Sequence, residues 1–443
     1  MPAPTKPTVA AAELHDPTST AYKKARRQYL KTTRNRRDNV ETEWTPFRAA
    51  EKKYKARFPP PELSNVLDLA VADASRTEEI IRGGWKGNSH AVQYREIEIS
   101  SGSRKGYIFA NNPGLVLLPS FVPPDEQRRL VRWALCDQAR HPNETNLDAH
   151  YVLPEAGLWN RYLGVQHNVH EDDIVEPRAS SCSSPSEAVA EPAGPRKLIS
   201  NEPASKQNYA ILSASPKLPP APSTSAQPVR ISALVPKLRW ANIGWSYHWG
   251  TKQYDFTKGK AVISDEIRDV CKRAVRSVRW EDVFGDESAS IPNEDWGDEG
   301  PDWSSWDDTY EPDAGIVNFY QTKDTLMAHV DRSEVCATSP LVSISLGCAA
   351  IFLIGGLTRD VEPTAILLRS GDAVIMSGPA CRRAYHGVPR ILEDTLPPHL
   401  EASGEDEWKV YEDYLRTARI NINVRQVFPR GFDPANSDAA VEP

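Results

Sequence analysis

Between residues 315 and 427 the chain reads GIVNFY (315–320), LMAHVD (326–331), LVSISL (341–346), AAIFLI (349–354), TAILLR (364–369), DAVIMS (372–377) and ARININVRQV (418–427). Short apolar runs, rich in β-branched residues and recurring about every ten positions between turn residues, predict seven or eight short strands in a β-sandwich or barrel. Ser370-Gly371-Asp372 reads as a hairpin turn between two of them. EDEWKVYEDYLRTA (405–418) reads as a helix placed before the last strand.

That last strand carries the most information. Alternation sends Ile420, Ile422 and Val424 to one face and Arg419, Asn421, Asn423 and Arg425 to the other. Alone, the polar face would be an ordinary solvated one. Two other strands repeat the pattern: Asn318 and Tyr320 share a face, and so do His329 and Asp331. A jelly roll whose lumen holds a polar ligand accounts for all three at once. His386, 57 residues after His329, completes a set of two histidines and a carboxylate. Such a set suits non-haem Fe(II) with coordination positions left open. Zinc, which also takes three protein ligands at catalytic sites, competes. The two arginines six residues apart favour iron working with a dicarboxylic cosubstrate, because a planar guanidinium pairs bidentately with carboxylate.

The rest of the chain supplies context. Of 443 residues, 37 are proline, too many for one compact body, and the net charge of −7 excludes a uniformly basic nucleic-acid binder. Residues 1–60 read as a basic, disordered arm, with Lys23, Lys24, Arg26, Arg27, Lys31, Arg34, Arg36 and Arg37 unrelieved by acid. No apolar stretch near the first residue resembles a secretory signal, and Glu13 and Asp16 argue against a mitochondrial one. Residues 61–176 read as the N-terminal helical and strand part. They include a strand at 114–122 and an amphipathic helix from Pro124 to Ala139. In 177–228, 30 of 52 positions are Ser, Pro or Ala, which reads as a disordered insertion. Residues 281–313 hold thirteen acids and no base and read as a solvated acidic loop, with no role assigned to Trp296, Trp303 and Trp306. The uncharged stretch Val335 to Thr358 contains Pro340 and Gly355-Gly356, so two buried strands explain it better than a membrane span. Six cysteines without CxxC spacing suit reduced thiols in an intracellular protein.

The motifs Asn318-x-Tyr320, His329-x-Asp331, His386 and Arg419-x-Asn421-x-Asn423-x-Arg425-Gln426 together resemble those of AlkB-family Fe(II)/2-oxoglutarate dioxygenases. Gly-Gly-Leu-x-Arg (355–359) and Ser370-Gly371-Asp372 fit the family's order. HVDRSE (329–334), AIFLIGGLTRD (350–360), IMSGPACR (375–382) and KLRWANIGWSYHWGTKQY (237–254) resemble the eukaryotic homologue-one branch. The likeness covers roughly residues 115–170 and 235–430 and excludes the arm and the insertion.

The resemblance implies an α+β fold: a double-stranded β-helix (jelly roll) with flanking helices, besides the disordered arm and insertion. Residues 229–314 would form a nucleotide-recognition lid, a helix and the acidic loop, 315–430 the dioxygenase core, and 431–443 a tail. It further implies that His329, Asp331 and His386 hold Fe(II), and that Arg419 grips the distal carboxylate of 2-oxoglutarate with Tyr320 and Asn318 nearby. Asn421 would add a contact and Arg425 would lie near the 1-carboxylate. O2 is the second cosubstrate. Hydroxylation of an N-methyl group releases formaldehyde and the unmodified base, with succinate and CO2 as coproducts. The expected substrate is an N-methylated base in RNA, in tRNA or as N-methyladenine in mRNA, turned out of its stack into a pocket. DNA or histone methyl groups are the alternatives. Trp245, Tyr254 and Arg359 are the candidate substrate contacts, each with an ordinary packing or salt-bridge role as its rival. Ser333 stands where the bacterial member has an acid, which leaves the substrate range open. The expected partner is nucleic acid, the expected compartment cytoplasm and nucleus with the mitochondrion as alternative, and no membrane is involved. The oligomeric state is not set by the sequence.

Overall fold

The computed structural model describes residues 16, 18–33, 44–100, 105–179, 202–285, 296, 300–404, 406–432 and 434. Its strands are β1 (Arg95–Glu98), β2 (Lys105–Ile108), β3 (Leu115–Leu118), β4 (Ile174–Val175), β5 (Val229–Arg230), β6 (Trp240–His248), β7 (Gln253–Lys260) and β8 (Ala314–Gln321). There follow β9 (Leu326–His329), β10 (Leu341–Gly347), β11 (Ala350–Ile354), β12 (Thr364–Leu368), β13 (Ala373–Met376), β14 (His386–Ile391) and β15 (Ala418–Arg425). A nine-stranded antiparallel sheet runs β1-β2-β3-β13-β10-β15-β8-β6-β7, and a four-stranded one runs β12-β11-β14-β9. β4 and β5 pair separately.

From β8 onward the chain passes back and forth between the two sheets. β8, β10, β13 and β15 lie in the large sheet, and β9, β11, β12 and β14 in the small one. The sheets share an apolar core: Leu341, Val374 and Met376 from one meet Phe352, Ile366, Leu368 and Val388 from the other. The opposite face of the large sheet buries Ile420, Ile422, Val424, Val317, Phe319, Val342 and Ile344. These pack with Ile267, Val270 and Ala274 of the helix Asp265–Ser277 and with Trp408 and Leu415 of the helix Asp406–Leu415. Helix packing claims the apolar face of β15, so its polar face turns inward, between the sheets.

The structure departs from the sequence reading at several elements. Ser370-Gly371-Asp372 is no hairpin turn, because β12 and β13 lie in different sheets. It is a corner. Gly371 adopts φ +86°, where a Cβ would be strained. The Asp372 carboxylate accepts from the amides of Arg369 (2.7 Å) and Ser120 (3.0 Å) and from Arg76 Nη1 (2.7 Å). The helix from Pro124 is α-helical to Arg132 and continues as a π-helical turn, Trp133–Gln138.

The basic arm gives way to packed structure before residue 60. In the helix Pro46–Lys55, Phe47 and Tyr54 are buried against Leu353, Leu367 and Leu392 on the outer side of the small sheet. A helix at Thr20–Thr33 carries part of the basic run, and the ring of Tyr22 sits 4.9 Å from that of Phe58. Of the expected disordered insertion, 180–201 lie outside the described residues. Residues 202–228 hold the helix Tyr209–Ala214, whose Tyr209 is buried. The acidic block is also more than a solvated loop. Trp296 and Trp306 are buried and ring-packed with Trp280 and Phe284, so aromatic side chains seat this part of the chain. Most of its stretch 286–299 lies outside the described residues. Among the described residues no helix is long and apolar enough to cross a membrane.

Candidate active site and metal centre

His329 ends β9 and His386 begins β14, directly opposite it in the antiparallel register. Their ring centroids are 4.3 Å apart. Asp331, two residues on, brings a carboxylate oxygen to 3.6 Å from His329 Nε2. Candidate ligand atoms of the three residues all lie within 4.8 Å of one another. Each ring is set by the backbone: Nδ1 of His329 donates to Met327 O and Nδ1 of His386 to Ala384 O, both at 3.0 Å. A carbonyl can only accept, so the proton sits on Nδ1 and the Nε2 lone pairs are left for a metal. Burial, then the neighbouring His329, lowers the pKa of His386 to about 4, which keeps it neutral. Burial opposes ionisation of Asp331, but Arg425, the two histidines and Arg382 outweigh it and hold the carboxylate well below its usual range. Two neutral nitrogens and one charged oxygen, with open space on one side, fit Fe(II).

The three residues line one cavity of about 650 Å³, whose floor is the inner face of the large sheet. Ser345, Asn421 and Asn318 stand side by side across β10, β15 and β8, as do Gly347, Arg419 and Tyr320. Asn421 Nδ2 donates to Ser343 Oγ (2.8 Å) and Ile344 O (3.1 Å). Arg419 is 1% exposed and lies over the ring of Tyr320, 5.7 Å from its centroid. Its Nη2 donates to Ser345 Oγ (2.9 Å), whereas Nε and Nη1 have no hydrogen-bond partner. Burial without a carboxylate at hand lowers its pKa to about 10. A buried guanidinium with spare donors is costly unless an anion arrives, which marks the floor as a carboxylate site.

Arg425 is differently employed. Its Nη1 donates to Asp331 Oδ2 (3.2 Å) and Glu334 Oε1 (2.6 Å), and Nη2 to Asn423 Oδ1 (2.7 Å). Arg425 lines the same cavity, and with both Nη atoms committed to the protein it is also the brace of Asp331. Glu334, 1% exposed, is the partner that sequence reasoning missed. Glu334, three residues after Asp331, was visible in the sequence, but nothing there marked it as buried or as a partner of Arg425.

The expected substrate contacts separate. Tyr254 lines the cavity but is 2% exposed, its hydroxyl 3.4 Å from Glu334 Oε1. Arg359 is exposed at the rim; its Nη2 donates to Ala328 O (3.1 Å) and its guanidinium lies over Tyr385. Trp245 is absent from the cavity wall. It packs against Phe256 and Phe428, ring centroids 5.3 and 6.1 Å away. The β6–β7 register shifts between Trp245, which pairs with Lys260, and Ser246, which pairs with Asp255, and the cavity is lined by Tyr247 and Trp249 but not by Trp245. Those two aromatics were legible as an i, i+2 series with Trp245, but the register shift was not.

Comparison with known proteins agrees with this geometry. Residues 196–425, just over half of the chain, match the 2OG-Fe(II) oxygenase superfamily. The chain belongs to that superfamily. It is a 2-oxoglutarate-dependent dioxygenase, with Fe(II) as cofactor and 2-oxoglutarate and O2 as cosubstrates. Its large antiparallel sheet with helices is the superfamily's fold. The tRNA demethylase abh1 of Schizosaccharomyces pombe is 28% identical over 86% of this chain and 96% of its own. The DNA N(6)-methyladenine demethylase ALKBH1A of Arabidopsis thaliana is 29% identical over 87% and 96%. The nucleic acid dioxygenase ALKBH1 of Homo sapiens is 27% identical over 83% and 79%.

Proposed function

We propose that this dioxygenase removes methyl groups from N-methylated bases in nucleic acid, RNA in the first place, releasing formaldehyde, succinate and CO2. The observation that carries the reading is Arg419, buried with two unpaired donors in the cavity that also presents His329, Asp331 and His386. The alternation of β8–β15 between two sheets is a double-stranded β-helix, and this cavity is its lumen. The nucleic-acid part rests on the aromatic wall of Tyr247 and Trp249, which suits a flat base, and on the demethylases that the chain resembles along most of its length.

In this reading His329, Asp331 and His386 hold Fe(II), and Arg419 with Tyr320 and Asn318 takes the distal carboxylate of 2-oxoglutarate. The iron, 2-oxoglutarate and O2 together supply the oxidising power that hydroxylates the methyl C–H bond. The chain's own contribution is placement. The Met327 and Ala384 carbonyls fix the histidine tautomers, and Arg425 and Glu334 fix the carboxylate. Tyr247 and Trp249 hold the base with its methyl group toward the metal. Lys23, Lys24, Arg26 and Arg27 add phosphate contacts weakened by salt. The test is bulk tRNA incubated with Fe(II), ascorbate and 2-oxoglutarate, its nucleosides quantified by mass spectrometry. The wild type lowers one methyl mark, and Asp331→Ala lowers none while retaining RNA binding. Loss of a mark from DNA alone would reassign the substrate, and no loss from either polymer would refute the reading.

A further inference from the structure

Part of the Ser/Pro/Ala-rich insertion comes back to the active site. Glu202, Ala204, Tyr209 and Leu212 line the same cavity as the metal-binding residues. The segment is tied down at three places. The Ala204 N–H donates to Arg332 O at 2.8 Å, one residue from Asp331. Tyr209 is 3% exposed, with Phe256, Phe428 and Phe432 ring centroids 5.1–5.5 Å away. Downstream, His248 Nε2 meets Leu218 O at 2.8 Å, and because His248 Nδ1 accepts from the Thr251 amide, Nε2 is the donor. Between these ties Asn208 shapes the turn, its Oδ1 accepting from the Ser205 amide (2.8 Å) and its Nδ2 donating to Pro203 O (3.0 Å). The helix Tyr209–Ala214 then presents half-buried Leu212 to the cavity.

We infer that residues 202–218 form a fixed strap across the mouth of the cavity, and that Leu212 is a specificity-determining residue that restricts the enzyme to bases in unpaired, single-stranded segments. This rests on the nucleic-acid reading above. The β6–β7 hairpin lines the cavity with Tyr247 and Trp249, the strap lines it with Tyr209 and Leu212, and of these Trp249 is exposed and Leu212 half-exposed. A slot bordered by two tethered segments admits a nucleotide whose backbone can turn it in on its own. In a duplex the target must first unstack and unpair, and its stacked neighbours and opposite strand then meet the strap. The strap meets the loop after the metal ligand where the Ala204 N–H donates to Arg332 O, beside the metal-binding residues and not on one of them.

The test uses one oligonucleotide carrying a single N-methylated base, offered single-stranded and annealed to its complement, with the full chain and saturating 2-oxoglutarate. The wild type prefers the single strand. Leu212→Ala removes the bordering side chain, and Ala204→Pro removes the N–H that ties the strap down. Both variants are expected to reduce the single-strand preference in kcat/KM by about fivefold or more, chiefly through a lower KM for the duplex. A preference within about twofold of wild type in both variants, at unchanged Tm, would overturn the strap's role. Tyr209→Ala, which uproots the strap from its aromatic seat, replaces either variant that does not fold. A wild type that consumes 2-oxoglutarate but demethylates neither form overturns the substrate reading, and the strap's role with it.

Discussion

Arg419 differs from Arg369 and Arg76 in having no ion-paired acid, and from Arg382, which has none either, in lining the cavity of the metal-binding residues. Arg369 reaches Asp68 at 2.8 Å and Arg76 reaches Asp372 at 2.7 Å, so each of those charges is balanced within the protein. Arg419 awaits its anion from outside. Arg419→Met is expected to raise the KM for 2-oxoglutarate by roughly 10- to 100-fold, the value of a charge-assisted hydrogen-bonded pair, as read by succinate production. An unchanged KM would place the cosubstrate elsewhere. The alternation of ARININVR made the inward face legible, because three strands repeated it. The brace around Asp331 was not legible, since nothing in the spacing of Glu334 and Arg425 says that they meet. A second residue-scale expectation concerns pH. Burial, then Arg76 and Arg128, lowers the pKa of His399 to about 4, and His386 is lowered to about 4 as well. Between there and an unfolded value near 6.5 the unfolded chain binds more protons, so stability rises with pH across that window. The metal-free protein should lose Tm as pH falls from about 6.5 toward 4, and His399→Gln should flatten part of that slope. A Tm independent of pH there would contradict it.

The helix Pro46–Lys55 shows why the edge of the fold was misjudged at the level of elements. Lysines and arginines dominate its composition, so it reads as part of the basic arm. Its attachment depends on three residues. Phe47 is fully buried under Gly355, whose Cβ position lies 2.9 Å from the Phe47 ring. Tyr54 joins the same core, and Glu51 Oε1 accepts from the Ala328 amide at 2.6 Å, one residue before His329. The helix therefore braces β9, the strand that delivers a metal ligand. Phe47→Ala is expected to cost about 3–5 kcal/mol in urea unfolding. A cost under about 1 kcal/mol would mean that the helix is a loosely held part of the arm, as its composition reads. The lid hairpin offers the converse case. Trp245 and Tyr254 were read as the substrate contacts of this hairpin, yet Tyr247 and Trp249 join Tyr254 along the cavity and Trp245 does not, and the irregular β6–β7 register leaves little trace in a single sequence.

Across the whole molecule, crossing between the two sheets is what assembles the site. β9 and β14 of the small sheet carry the two histidines, while β8 and β15 of the large sheet carry Asn318, Tyr320 and the arginines. Neither sheet alone holds both the metal ligands and the carboxylate-binding arginine. Strand count and inner polar faces were readable because they depend on local period. The corner at Ser370-Gly371-Asp372 and the seating of residues 202–228 were not, because each depends on contacts made far along the chain. The joint arrangement implies one coupled reaction in which succinate forms as a methyl group leaves. The most direct measurement is therefore stoichiometric: succinate produced and methyl marks lost, counted in the same tRNA sample with Fe(II) and 2-oxoglutarate present and with either omitted. The structure predicts the two in equal amounts and neither when one component is missing. Methyl loss without 2-oxoglutarate, or succinate unaffected by methylated RNA, would contradict the account.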